Sequence, residues 1–359
     1  MHKKVCYIFF MQDHNESSIV LLPSYQPEET LIRLSSALKE LGFYVLIVDD
    51  GSGEKYHDIF LKCQEYAKVI SYSKNMGKGY ALKTGFKYIV DNLSEYKVVI
   101  TADGDGQHCI QDIVFISNKA VERNMAVIGE RHFEVKTPLK SRLGNGLSRF
   151  TQALCTYRYM RDNQCGLRAF PISSLKDLLK IRGNRYEYEM SVLTFLQTKE
   201  IPYITVPVKT IYEDNNRTTH FRPLQDTLLI QGSILKCGLI NIVTLLLGVV
   251  VSSLLFYYVF QDNVLNVEIS TFLTTLFTFV FHSAVNLIIY RPKNFGKSIV
   301  RVLLFELIFM TSLVIMNSFF VRIFNWAIYA SYLVCIFLSL FPFYELIKGV
   351  GLVYSSQND

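Results

Sequence analysis

The sequence predicts an α/β domain with a mostly parallel sheet over residues 1–230, followed by an all-α domain of four transmembrane helices over residues 231–359. Three observations predict it. Short apolar runs alternate with stretches of helical periodicity through the first half of the chain, the pattern of strands covered by helices. Polar loops carrying glycine and aspartate follow those runs, and in an open parallel sheet ligands gather outside the carboxyl ends of the strands. From Gln231 onward charged residues become scarce, and apolar segments lengthen to the ~20 residues that span a bilayer.

Two apolar runs open the chain, Val5 to Phe10 and Ile19 to Leu22, the second ending in PSYQPEE. A helix is expected over Glu28 to Leu41, because Leu31, Leu34, Leu38 and Leu41 recur at steps of three and four. Tyr44 to Val48 repeats the strand, Asp49-Asp50-Gly51-Ser52 the loop, and Tyr56 to Ala67 the helix. A short strand, Val69 to Ser71, leads through SKNMGKG into a helix over Tyr80 to Val90. The buried strand Tyr96 to Ile100 ends in TADGDGQH; a helix over Ile113 to Arg123 and a strand at Ala126 to Gly129 follow. From Leu139 to Tyr157 apolar residues again fall at helical steps, with Lys140, Arg142, Arg149 and Arg158 among them. This basic amphipathic helix, near 139–158, either lies in a membrane interface or packs its stripe on the sheet. After DNQCGLRAF come a helix over Tyr188 to Thr198, a strand at Tyr203 to Pro207 and a polar loop from Tyr212 to Pro223.

The hydrophobic segments lie at about 237–260, 269–290, 302–320 and 327–347. Arg291, Lys293, Lys297 and Arg301 crowd the second connection, whereas the loop around Asp262 has no Lys or Arg. Positive-inside logic then places the first domain and the C-terminus on the cytoplasmic side of the cell membrane. Glu306, just inside the third segment, is a functional candidate or a group that reaches the headgroups; His282, Asn286 and Asn317 suit helix packing. A net charge of +6 gives little support for nucleic-acid binding, and basic residues beside a membrane have a simpler use in attracting anionic lipid. The seven cysteines show no paired spacing, which argues against a zinc site or disulfide framework and fits a reducing compartment. The apolar run within MHKKVCYIFF is too short for a signal-peptide core.

The chemistry concentrates in Ile100 to His108, ITADGDGQH. Asp103 and Asp105 stand one residue apart at a strand end, where two hard oxygen ligands can share a divalent cation with a substrate diphosphate. The same residues also suit a solvated Asp-Gly turn.

Taken in order, PSYQPEE, IVDDGS, NMGKGYALKTG, DGDGQH, GER, DNQCGLRAF, RYEYE and NNRTTHFRPLQD resemble a family 2 glycosyltransferase of the GT-A fold, in its polyprenyl-phosphate, dolichyl-phosphate mannose synthase-like branch. The four-helix tail looks like a GtrA-type membrane domain. The resemblance implies that Pro23, Tyr25 and Asp50 line the base and ribose pocket, Asp50 accepting an imide N–H, while Asp49 is structural. It implies that Lys78 closes on the nucleotide, and that Asp103, Asp105 and Gln107 hold Mg²⁺ or Mn²⁺ with the diphosphate. Arg131 and Arg142 match acceptor-phosphate positions, which suits the planar guanidinium fork. Arg222 would neutralise the departing diphosphate. The sequence departs from the family pattern at Gln26-Pro27 and in the run from Asn215 to Arg222, where the role of Arg217 is open.

The expected reaction is inverting transfer of one sugar from a UDP- or GDP-linked donor to a polyprenyl phosphate at the cytoplasmic face of the bilayer; self-association is common in the family the chain resembles. A sugar-hydroxyl acceptor would instead need a general base, for which Glu187 or Glu189 is available; both are also ordinary helix N-terminal acids. A third reading makes the membrane domain the principal function, a lipid-sugar transporter or scaffold.

Overall fold

The computed structural model describes residues 15–131, 139–156, 158–209, 222, 225–234 and 295–324, with scattered single residues between 247 and 348. The first predicted run, Val5 to Phe10, and the loop carrying Arg217 lie outside them.

β1 (Ser18–Ser24), β2 (Tyr44–Asp49), β3 (Lys68–Ser71), β4 (Val98–Thr101), β5 (Ala126–Arg131), β6 (Arg168–Pro171) and β7 (Tyr203–Val208) form one sheet in the order β3-β2-β1-β4-β6-β5-β7. The helices between them are α1 (Thr30–Glu40), α2 (His57–Cys63), α3 (Lys78–Asn92), α4 (Ile110–Arg123), α5 (Leu139–Thr156), α6 (Leu175–Leu178) and α7 (Glu187–Thr198). The sheet is parallel except at β6, which runs antiparallel to both β4 and β5. It is the α/β fold with a mostly parallel sheet that the family resemblance implies.

Burial explains the order. The central strands are apolar on both faces, and Val20, Leu22, Ile47 and Ile100 are sealed under Leu31, Leu34, Leu38, Ile113 and Ile116 of α1 and α4. On the other face Gly85 of α3 lies so close to Leu21 that an added Cβ would meet its side chain at 2.4 Å, which lets the helix settle on the sheet. The order in which strands are added reverses at β1, with β2 and β3 on one side and β4 on the other, and the acidic loop follows β4 at this switch point.

The chain divides into two compact units. Met1–Gly146, Arg161–Leu193 and Pro202–Ser233 form the first; Leu147–Met160, Thr194–Ile201 and Ile234–Asp359 form the second. Within the second, Ala153 is buried against Ile347, and the Phe150 and Tyr344 rings lie 5.0 Å apart. The later part of the amphipathic stripe thus packs on the C-terminal region, while Leu147 stays exposed. Among the described residues no helix is long and apolar enough to cross a membrane. The predicted spans 237–260, 269–290 and 327–347 fall mostly outside those residues; 302–320 falls in α8 (Phe295–Phe324), several of whose side chains are also outside them. Among those described, Val300, Leu304, Leu307, Ile308, Ile315, Phe319 and Ile323 are exposed.

Candidate active site at the strand ends

β4 delivers the acidic loop, and a hydrogen bond fixes where it starts: Thr101 Oγ1 donates to the Gly166 carbonyl at 3.0 Å, tying the loop to DNQCGLRAF. The chain then turns at Gly106, whose φ of +78° favours glycine, and the Gln107 N–H closes the turn on Asp105 Oδ1 at 3.1 Å. The turn that the Asp-Gly spacing suits is therefore present.

Lys78 is the first residue of α3, where the helix macrodipole disfavours a cation. Two carboxylates compensate: its ammonium lies 2.7 Å from Asp103 Oδ1 and 2.8 Å from Glu189 Oε2. The Tyr186 ring centroid is 5.9 Å away. On the far side of Asp103, His108 Nε2 stands 3.4 Å from Oδ2. Gly166 closes the back, since a Cβ there would lie 2.9 and 3.1 Å from the Asp103 oxygens and 3.0 Å from the ammonium. Asp103 is thus enclosed by a lysine, a histidine and a glycine.

The electrostatics follow. Burial pulls the Lys78 pKa down, but Asp103 and Glu189 more than offset it and hold the ammonium above the ordinary lysine value. Burial would raise Asp103, yet Lys78 and then His108 keep its carboxyl well below the usual range. Asp105 has no such partner. It reaches solvent, but desolvation by the loop and then the Asp103 charge push its carboxyl upward. Burial, opposed by Lys78, pushes the Tyr186 phenol up to about 12.

In the structure the Asp50 carboxylate is engaged by the loop that follows β3. Only 3% exposed, its carboxylate accepts hydrogen bonds from Tyr72 Oη (2.7 Å), Asn75 Nδ2 (3.0 Å), the Met76 N–H (2.8 Å) and the Gly77 N–H (2.9 and 3.1 Å). With its acceptor capacity spent on the NMGKG loop, Asp50 can take an imide N–H only by releasing one of these. Burial and then Asp50 raise the Tyr72 phenol above its usual value. Asp49 is structural as expected from its motif, accepting the Ser52 N–H at 2.9 Å. Ser52 Oγ in turn accepts the Gln26 N–H at 2.8 Å, and Gln26 Nε2 donates to Tyr25 Oη at 3.1 Å, so Pro23 and Tyr25 sit beside this loop at the end of β1.

Arg131 ends β5 at the same edge. Its Nε and Nη2 donate to Asp162 at 2.7 and 3.1 Å, and its N–H adds a third bond at 3.1 Å. Burial would lower its pKa, but Asp162 raises it further above the usual arginine value. Arg222 donates from Nη2 to buried Asp226 at 3.2 Å, and Arg185 Nε approaches the same oxygen at 3.4 Å. Arg142 lies in α5, with its side chain outside the described residues. The structure therefore brings Lys78, Asp103, Asp105 and Gln107 together, while Arg131 and Arg222 are each held by an acid.

Those acids are not evident as partners from the sequence alone. Asp162 and Gly166 lie inside DNQCGLRAF and Asp226 ends the last motif, so their positions are marked but what they face is not. Glu189 is visible there only as a helix acid or a base. Arg168, 2% exposed, places it by donating to the Cys165 and Glu189 carbonyls. Glu187 Oε1 accepts the Asn184 and Arg185 N–H groups, the work of a helix-start acid.

Among the described residues no group of three or more His, Cys, Asp or Glu side chains could hold a metal ion. Two carboxylates still suit Mg²⁺ or Mn²⁺, which keep waters and substrate phosphates in their shell rather than an all-protein cage. Desolvation and then the Asp103 charge raise the Asp105 carboxyl, and a bound cation would oppose both effects.

The family model described as Glycosyl transferase family 2 matches residues 19–179. An uncharacterized protein of Methanocaldococcus jannaschii is 32% identical over 209 residues, 56% of this chain and 84% of that protein. The UDP-N-acetylglucosamine–dolichyl-phosphate N-acetylglucosaminyltransferase of Methanococcus voltae is 30% identical over 218 residues, 54% of this chain and 86% of that enzyme. Among solved structures, glucosyl-3-phosphoglycerate synthase of Mycobacterium tuberculosis in complex with phosphoglyceric acid matches with a TM-score of 0.47 and 15% identity, over 64% of this chain and 84% of that one.

Proposed function

Because the chain belongs to glycosyl transferase family 2 and is a glycosyltransferase using a nucleotide-sugar, we propose that it transfers one sugar from a UDP- or GDP-linked donor to a polyprenyl phosphate at a membrane surface, with inversion. One observation carries the reading: the Asp103–Asp105 loop meets Lys78 at the carboxyl edge of the sheet, an acidic pair with a cation beside it, at the switch point. Its relative from Methanococcus voltae is named for a dolichyl-phosphate acceptor, which favours a lipid phosphate here.

Asp103 and Asp105, with Gln107 beside them, would hold Mg²⁺ or Mn²⁺. Bound there, a divalent cation offsets charge on the departing diphosphate. The residues do the rest by position. Arg131, held along its Nε–Nη2 edge by Asp162, would offer its remaining guanidinium N–H groups to the acceptor phosphate, with Arg142 as the second contact; Arg222 would screen the leaving diphosphate, and Pro23 and Tyr25 would flank the nucleotide. A phosphate monoester is largely dianionic near neutral pH, its second pKa being about 6, so the attacking oxygen needs no protein base. That agrees with a Glu187 engaged at a helix start and a Glu189 engaged by Lys78.

Residues 1–230 form the catalytic domain in this reading, and 231–359 a GtrA-like domain of four spans in the cell membrane, with the catalytic domain cytoplasmic. The exposed apolar stripe of α8 and the hydropathy of the tail support the membrane part. The test is extraction: purified protein given radiolabelled nucleotide-sugar, Mn²⁺ and polyprenyl phosphate should yield label in the organic phase. Label that instead enters polysaccharide and never the lipid phase would sink the proposal.

A further inference from the structure

The acidic pair already has a cation on it, and that cation belongs to the chain. Asp103 offers two oxygens: Oδ1 is capped by the Lys78 ammonium at 2.7 Å, and Oδ2 faces His108 Nε2 at 3.4 Å. Gly166 walls the back so closely that a single added carbon would touch both oxygens. An ion on Oδ1 would therefore compete with the Lys78 ammonium, two like charges brought to one oxygen. A second seat is ready for the ammonium. Glu189 already holds it through Oε2 at 2.8 Å, and the other oxygen of that carboxylate, Oε1, is buried with no hydrogen-bond partner. The Tyr186 ring lies on the same ammonium. Lys78 can release Asp103 without losing every counter-charge.

We propose that the Lys78 ammonium holds the divalent cation's place on Asp103 until a nucleotide diphosphate arrives, so that cation and nucleotide bind cooperatively. The inference rests on the nucleotide-sugar and cation reading above and deepens it. The diphosphate carries the negative charge that draws Lys78 off Asp103; the emptied carboxylate then accepts the divalent ion. Each ligand removes a cost from the other's binding, and by linkage the two effects are equal. Glu189 is a positioning residue here, holding the lysine within reach of both seats.

The experiment measures Mn²⁺ binding directly, by the electron paramagnetic resonance signal of free Mn²⁺, with and without UDP or GDP. Wild-type protein should bind Mn²⁺ weakly alone and more tightly with nucleotide. Lys78→Met should bind Mn²⁺ alone about tenfold tighter or more, because a like charge close to the site is gone, and the added effect of nucleotide should shrink. Should Lys78→Met fail to fold, with Glu189 left unpaired, the double variant Lys78→Met/Glu189→Gln removes that charge as well and must bind Mn²⁺ alone more tightly than Glu189→Gln does. Lys83→Met deletes a lysine of the same helix whose ammonium goes to Asn184 Oδ1 at 2.7 Å, and it should behave as wild type. Tightening absent in the Lys78 variants, or equal in Lys83→Met, overturns the proposal while leaving the cation site intact. If wild-type protein with nucleotide binds no Mn²⁺ at all, the proposed function loses its cation and this inference falls with it.

Discussion

Asp50→Asn separates two roles for one carboxylate. In the structure Asp50 is 3% exposed and takes hydrogen bonds from four groups of the loop that leads into Lys78, among them the buried Gly77 N–H. Asparagine keeps the shape but turns one acceptor into a donor, opposite either Asn75 Nδ2 or the Tyr72 and Met76 donors, and removes the charge from the remaining bonds. With about 1–3 kcal/mol for each buried group left unmatched, the loss comes to about 3 kcal/mol. At about 2–4 °C per kcal/mol for a domain of this size, the nucleotide-free protein should melt about 6–12 °C lower. Tyr72→Phe, which deletes one of those donors, should lower the melt by about 2–4 °C. A thermal melt followed by circular dichroism, without ligand, measures both. If Asp50 instead waits for a nucleobase, neutralising it costs the apo protein nothing. A melt for Asp50→Asn within about 2 °C of wild type would refute the loop-clamp reasoning.

Three further outcomes are expected. Asp105 has a raised carboxyl, and a protonated carboxyl cannot ligate, so Mn²⁺ binding measured by calorimetry should weaken as pH falls through that raised value; Asp105→Asn should bind weakly at every pH. The same shift means the folded state holds this proton more tightly than the unfolded chain, so it favours the fold in acid and that contribution is lost as pH rises through the raised value. Gly166→Ala places a methyl 2.9 Å from Asp103 and 3.0 Å from the Lys78 ammonium; Mn²⁺ affinity in the presence of nucleotide should fall at least about tenfold, and wild-type affinity would contradict the packing. Asp162→Ala strips a buried partner from Arg131 and should destabilise the protein by about 3–5 kcal/mol in a denaturant titration. Arg131→Lys retains the charge but not the two-point bond to Asp162, and should raise the KM for polyprenyl phosphate while lowering stability less than Asp162→Ala does.

The parallel part of the sheet was legible because its strands are buried on both faces and so read as continuous apolar runs. Leu21 and Ile47 could belong nowhere else. β6 was not legible: Arg168–Pro171 is four residues long and opens on an arginine, and only its place between β4 and β5 makes it a strand. Helix α3 starts two residues earlier than periodicity suggests, at Lys78, because Gly77 turns the chain with φ of +102° and the paired carboxylates make a lysine tolerable there. In the site, local spacing identified Asp103 and Asp105. What no local pattern could show is which acid faces which base across the fold. Lys78 meets Glu189, Arg131 meets Asp162 and Arg222 meets Asp226 through distances that only the folded chain defines.

The lone reversed strand has a consequence for the order in which the protein becomes competent. Thr101 and Gly166 are 65 residues apart in sequence, and Lys78 waits still longer for Glu189. A chain emerging from the ribosome can pair β1, β2, β3 and β4 while the Asp103 carboxylate still lacks its back wall and Lys78 its second counter-charge. Contacts of such separation close late, after the local helices and neighbouring strands have formed. The surroundings of Asp103 are thus complete only once β6 lies between β4 and β5.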